Sequence, residues 1–193
     1  MSGDGLEAAS GFANWAWLVR AVLLAVLLFW VVGAYNRLTR LRSAIGAAWG
    51  QIDEQLARRA AALDSLLELV REPLADEVTT LSALAAAQER QQQAARAVRA
   101  KPHLAAALQA WQLAESELAS PLARLQALLE HRRDFEGAEA VRPLIRQLVE
   151  LVPRMSYARQ SFNDAAAAYN AAVQEFPTRL LQRPFGFRPT ASL

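Results

Sequence analysis

The sequence predicts an all-α protein: an N-terminal transmembrane helix followed by an elongated antiparallel bundle of three to four long helices. Three observations carry this. From Ala21 to Ala34 the chain is apolar and free of charge. Beyond Tyr35, apolar residues recur at spacings of three and four, the period of one helix face. The composition has only 8 Gly, 8 Pro and 8% aromatics, with Ala, Leu, Gln, Arg and Glu in excess, which favours helices over strands.

The span is read as residues 15–35. Its 21 positions make a helix of about 31 Å, close to the ~30 Å hydrocarbon thickness of a bilayer. Trp15 and Trp17 at one end, and Trp30 and Tyr35 at the other, sit where an interfacial aromatic belt belongs. Arg20 lies about 8 Å inside the first end, within snorkelling reach of a long side chain. In a competing reading, Arg20 is the charge of a signal peptide, Ala21 to Val32 its apolar region and Val32-Gly33-Ala34 its cleavage site. The acidic Asp4 and Glu7 ahead of Arg20 suit that reading poorly, so an uncleaved anchor is expected.

Before residue 20 there is no Lys or Arg, whereas Arg37, Arg40 and Arg42 follow the span. Positive flanks stay in the cytoplasm. Residues 1–14 are therefore expected to be a short extracytoplasmic N-terminus, and residues 36–176 a cytoplasmic bundle at a bacterial inner membrane. Residues 177–193, with Pro184, Gly186 and Pro189, should be an irregular tail.

Four helices are expected in the bundle. The first continues out of the span on a stripe of Leu38, Leu41, Ile45, Ala48, Ile52, Leu56, Leu63, Leu66 and Val70, and ends before Pro73. A second starts near Leu74, with Val78, Leu81 and Ala85 inward, turns polar through Gln88 and Gln91 to Gln93, and stops near Lys101-Pro102. A third begins at His103 and carries Leu104, Leu108, Trp111, Leu118, Leu122, Leu125 and Leu129, with a kink predicted at Pro121. Charged residues and Gly137 mark His131 to Glu139 as a loop. The fourth has an unbroken heptad seam: Leu144, Leu148, Leu151, Met155, Ala158, Phe162, Ala165, Tyr169, Ala172 and Phe176. Pro143 suits its first turn, Pro153 should bend it and Pro177 ends it.

Chemistry-bearing patterns are few. The formal net charge is +2 without a basic cluster, so no nucleic-acid partner is indicated. With no cysteine there is no disulfide, thiol catalysis or Cys-ligated metal. The two histidines, His103 and His131, belong to no Glu-x-x-His or His-x-x-x-His pair, so a di-iron or zincin site is not expected. No phosphate loop or nucleophile elbow occurs. A non-enzymatic chain without cofactor is the expectation.

The candidate interaction residues are polar or aromatic. Asp53 and Glu54 lie near Arg58 and Arg59, either as a solvated ion-pair face or as a docking patch. Asn163, Asp164 and Asn170 adjoin the fourth-helix seam. The two asparagines, seven apart, either fix helix register when buried or form a binding strip when exposed. Leu38 to Arg71 and Pro143 to Phe176 are equally long, about 51 Å. The fourth helix should thus end at the surface from which the first emerges. There Arg179, Arg183 and Arg188 alternate with Phe185 and Phe187, which either staple the bundle end or touch the membrane.

These residues also carry a likeness. Tyr35-Asn36-Arg37-Leu38, Leu41-Arg42, Ala48-Trp49, Gln51-Ile52-Asp53, Gln55-Leu56 and Arg58-Arg59 resemble the N-terminal signature of the LemA family. Tyr157 to Asp164, Tyr169-Asn170, Phe176-Pro177 and Phe185-Gly186-Phe187 resemble its C-terminal signature. Where that family usually has Tyr-Asp and Pro-Asn, this chain has Ala60-Ala61 and Asp64-Ser65, and Arg133 replaces a loop proline, as in a divergent member. The resemblance implies a bacterial, membrane-anchored helical protein with no established enzyme activity and adds Trp49 to the candidate interaction residues. One family branch is tied to building an internal membrane compartment, and some relatives are encoded near membrane metalloproteases. The resulting expectation is a scaffold or adaptor that self-associates and takes part in membrane organisation. The alternative is an accessory subunit of another membrane protein, such as a metalloprotease.

Overall fold

One helix, α1 (Asp4–Val70), carries the chain from the apolar run into the bundle without interruption. The computed structural model describes residues 4–132 and 138–193. No proline falls within α1, so its backbone ladder has every donor. Along the apolar run the side chains point away from the protein: Leu24 is 66% and Phe29 76% exposed. A window there has mean hydropathy 2.3 with only 6% of it buried. This is no core helix of a soluble domain; its apolar surface needs an apolar phase outside the protein. From Leu38 onward one stripe turns inward. Leu38, Ile45, Ala48, Ile52, Leu56, Leu63, Leu66 and Val70 are buried, and Leu41 is partly so.

Three more long helices follow: α2 (Val78–Ala100), α3 (Ala105–His131) and α4 (Ala138–Gln174). α1 packs chiefly against α4, and α2 against α3. The order is up, down, up, down. At the distal end Arg132, after α3, forks onto Asp76, before α2. At the proximal end Arg37 Nη1 donates to Glu175 Oε2 at 3.1 Å, tying the start of the bundle part of α1 to the end of α4. The α2–α3 turn stops higher up. Pro102 lies beside Gly46, and His103 meets Arg42. Among the described residues, only α1, α4 and the C-terminal tail reach the level of the apolar run.

The core has two parts. The proximal part centres on Trp49, Trp111, Phe162 and Tyr169, all essentially inaccessible to solvent. Trp49 and Trp111 meet edge to face at 5.2 Å between centroids, and Trp49 and Phe162 at 6.3 Å. Such pairs add about 0.5–1.5 kcal/mol beyond area burial. The distal part is aliphatic, built from Leu63, Leu66, Leu74, Leu84, Leu125, Leu129, Val141 and Leu148.

Several expectations need correction. α2 begins at Val78, not Leu74, because a 3-10 turn at Ala75–Glu77 intervenes. Its inner face is Thr80, Leu84, Ala87, Gln88, Gln91, Ala95 and Val98, whereas Val78 is 64% exposed and Ala85 is exposed. Gln88 is held inside because its amide donates to Ala60 O at 3.3 Å and Asp64 Oδ1 at 2.8 Å. Leu104 caps α3 and is exposed. Pro143 lies inside α4 and not in its first turn, because the helix opens at Ala138; α3 and α4 continue through Pro121 and Pro153. On α4, Ala166 and Val173 join the buried face. Phe176 leaves the seam, 79% exposed, because α4 ends at Gln174. Of the expected loop, His131 closes α3, Ala138 opens α4, and residues 133–137 lie outside the described residues. The tail is not irregular throughout. It forms a 3-10 turn at Thr178–Leu181, then α5 (Gln182–Phe185), and has no regular secondary structure after Gly186, whose φ of 68° suits glycine.

Phe162 and Phe176 therefore separate the seam from its apparent continuation. Phe162→Ala is expected to cost about 3–5 kcal/mol, and Phe176→Ala to stay within about 0.5 kcal/mol. Chemical denaturation of both variants checks this; equal losses would contradict the assignment.

Candidate functional site

Chemistry-bearing side chains gather at three levels along the bundle. The first is a polar layer between the two core parts. Arg59 of α1 donates twice to Glu115 of α3, at 2.5 and 2.7 Å, with both side chains 17% exposed. Arg159 of α4 lies 3.7 Å from the same carboxylate and 5.1 Å over the Trp111 ring. One acid thus faces two guanidiniums from different helices, and the second is held by a cation–π contact. Beside this layer Leu148, Leu151, Val152, Met155 and Ser156 line a groove of about 330 Å³. Val152 at its edge is 66% exposed, and Val149, next to Leu148 on α4, is 59% exposed.

The second level is a clamp on the tail. Asn170 donates to Thr190 O and accepts from Thr190 N–H, both at 2.9 Å. Asn163 donates to Leu193 O at 2.9 Å and accepts from Leu193 N–H at 2.7 Å. Gln112 of α3 adds a bond to Ser192 O at 3.0 Å. Seven helical residues rise about 10.5 Å, and three extended residues span about 10 Å. The two amides are therefore in step with every third residue of an extended strand. They read backbone, not side chains. The tail lies against α4 and is bonded to α3, and Thr190 is buried.

The third level is the proximal end. Tyr35 meets Phe185 at 5.3 Å and Phe187 at 5.7 Å between ring centroids. Phe187 is buried, while Phe185 is 45% and Tyr35 41% exposed.

Titration follows these surroundings. His103 is held below the usual histidine range by burial first, then by the charges of Arg42 and Lys101. Arg42 Nη2 meets the Nε2 of that ring. Burial pushes the Tyr169 phenol up. The bond from Arg132 draws Asp76 down, and the bond to Asp53 raises Arg99. Among the described residues no three His, Asp or Glu side chains gather in a metal-binding group.

The structure redistributes the candidate interaction residues. Trp49 and Phe187 are core. Asp53 accepts from Arg99 at 2.7 and 2.9 Å. Glu54 and Arg58 form the solvated pair that their spacing predicts, at 2.6 Å. Arg59 belongs to the polar layer, and Asp164 accepts from Gln160 at 2.8 Å on the surface. Asn163 and Asn170 are neither a register device between helices nor a free strip, because the tail engages both. Of the membrane-anchoring residues, Trp15, Trp17, Arg20 and Tyr35 are exposed and Trp30 is partly covered. Nothing local in the sequence distinguishes Glu115 and Glu175 from other surface charges, and Arg159, though within the Tyr157 to Asp164 signature, carries no sign there of its part in the polar layer.

A sequence model of the LemA family matches residues 48–193. The chain belongs to the LemA family. The match covers the greater part of the bundle and the tail, so the asparagine clamp lies within the family's own domain. This LemA chain is also similar to the magnetosome protein MamQ of Magnetospirillum gryphiswaldense, 29% identical over 75 residues. That segment is 39% of this chain and 28% of MamQ.

The clamp predicts site-specific protection. Asn170→Ala should accelerate hydrogen exchange at the Thr190 amide, and Asn163→Ala at Leu193. Losing a partner of a half-buried donor costs about 1–3 kcal/mol, roughly five- to hundredfold in exchange rate. Unchanged exchange at both amides would contradict the clamp.

Proposed function

We propose that this LemA-family chain is a non-enzymatic, membrane-anchored scaffold that self-associates on the cytoplasmic face of a bacterial inner membrane. The observation that carries the reading is α1 itself. Its apolar run is long enough to cross a membrane and exposed along nearly its whole length, and the same helix forms the bundle core. Such an element holds a bundle at fixed height and orientation. Arg37, Arg40 and Arg42 beyond the run support a cytoplasmic bundle. The likeness of one segment to a magnetosome protein supports membrane organisation as the setting.

Self-association is supported by the mid-bundle groove. Leu148 and Leu151 form its buried floor, Met155 is partly exposed, and Val152 and Val149 of the same helix stand exposed at 66% and 59%. The polar layer of Arg59, Glu115 and Arg159 rims it, so a second apolar helix edge would gain burial without stranding a charge.

The full chain, extracted in native lipid discs and sized by mass photometry, should be a homo-oligomer. Val149→Glu with Val152→Glu should reduce it to monomer while the far-ultraviolet helix signal stays. Monomer already in the unaltered chain would contradict self-association. A stoichiometric complex with a different membrane protein would favour an accessory subunit instead.

A further inference from the structure

The tail is split by the structure into an inward face and an outward face that is largely open, with only Phe185 touching a ring of α1 among the described residues. Thr178, Leu181 and Phe187 turn into the bundle. Outward stand Phe176, Leu180 and Phe185, at 79%, 64% and 45% exposure, interleaved with exposed Arg179 and Arg183. From Phe176 to Arg188 there are three arginines and no acidic residue. The preceding Glu175 is paired with Arg37.

Height is fixed by three contacts. The Arg37–Glu175 bond sets the end of α4 two residues beyond Tyr35. The Tyr35 ring meets Phe185 directly. The 3-10 turn Thr178–Leu181 packs on α1. Tyr35 is the last aromatic of the apolar run. Whatever phase begins there also bathes Phe176, Leu180 and Phe185. In water these side chains would be an exposed apolar cluster at the mouth of a membrane span. In a bilayer interface, rings and leucine enter the acyl boundary while guanidiniums meet lipid phosphates.

We infer that residues 176–185 form an interfacial foot, a second contact with an anionic lipid surface that stops the bundle from tilting about its one span. The inference rests on α1 being a membrane anchor. The occupant is lipid and not protein, because the cluster is continuous with a surface that already requires lipid and because its charge is of one sign.

The chain has no cysteine, so single labels report cleanly. The full chain with Leu180→Cys, carrying a nitroxide, is reconstituted in phosphatidylcholine vesicles containing phosphatidylglycerol. Leu27→Cys in the span and Leu113→Cys on exposed α3 serve as references. Collision with oxygen against collision with a water-soluble nickel chelate gives depth. The Leu180 label should show an oxygen preference several-fold above that of Leu113, approaching the span label. Phe185→Cys should behave alike. Adding Arg179→Gln and Arg183→Gln should lower that preference only when the anionic lipid is present. A buried Leu27 label with Leu180 and Phe185 as aqueous as Leu113 would overturn the foot and leave the anchor standing. An aqueous Leu27 label would overturn both. Equal depth with and without anionic lipid would overturn the anionic requirement.

Discussion

The continuity of α1 is the constraint on which the rest depends. A helix has no soft joint unless a proline, a Gly/Ser pair, a π-bulge or an inserted group provides one, and Tyr35-Asn36-Arg37-Leu38 holds no proline, glycine or serine and is α-helical throughout. Between Tyr35, the end of the apolar run, and Leu38, the first fully buried core residue, there are about 4.5 Å of rise and no linker. The core is thus continuous with the apolar run. α4 is bound to the same helix from Val141 near the distal end to Glu175 at the proximal end, so it must come back to the level it started from. The shorter α2–α3 hairpin does not, and ends beside Gly46 and Arg42. That difference in length leaves a gap beside α1 and α4, and the tail fills it.

The way the tail is held follows from helix geometry. A helix offers a side chain on the same face every seven residues, and an extended strand returns to a similar distance every three. Asparagine suits both, since its amide can donate to the C=O and accept from the N–H of one and the same residue. Two such residues fasten the strand whatever its side chains are. The polar layer of Arg59, Glu115 and Arg159 is a different device. It divides the aromatic proximal core from the aliphatic distal one and ties three helices through one carboxylate. A hydrophobic replacement of similar volume need not be less stable; what the layer adds is a fixed relation between α1, α3 and α4.

Much of the architecture was legible because it rests on periodicity. The stripe from Leu38 to Val70 and the seam from Leu148 to Ala172 survive in the structure nearly residue for residue. The inner face of α2 was not legible, because buried alanines and glutamines look like a solvated helix. Gln88 is inside on account of Ala60 and Asp64, which lie on another helix. Asn163 and Asn170 stood out by their spacing, but their partners are backbone groups at Thr190 and Leu193, which carry no sequence signal. Phe176 continued the heptad on paper and left it in space, since the chain turns at Pro177. The sequence leaves the tail rings two places, stapling the bundle end or touching the membrane; in the structure Phe187 staples, and Phe185 is half open.

The rigidity of α1 across the membrane surface is tested most directly by a distance. Nitroxides at Leu27→Cys and Arg58→Cys, both on exposed positions of the cysteine-free chain, are separated by about 47 Å along one straight helix. Double electron–electron resonance on the chain in lipid discs should give one narrow distribution near that length. A broad distribution, or a maximum markedly shorter, would mean a hinge at the membrane surface and would contradict the account.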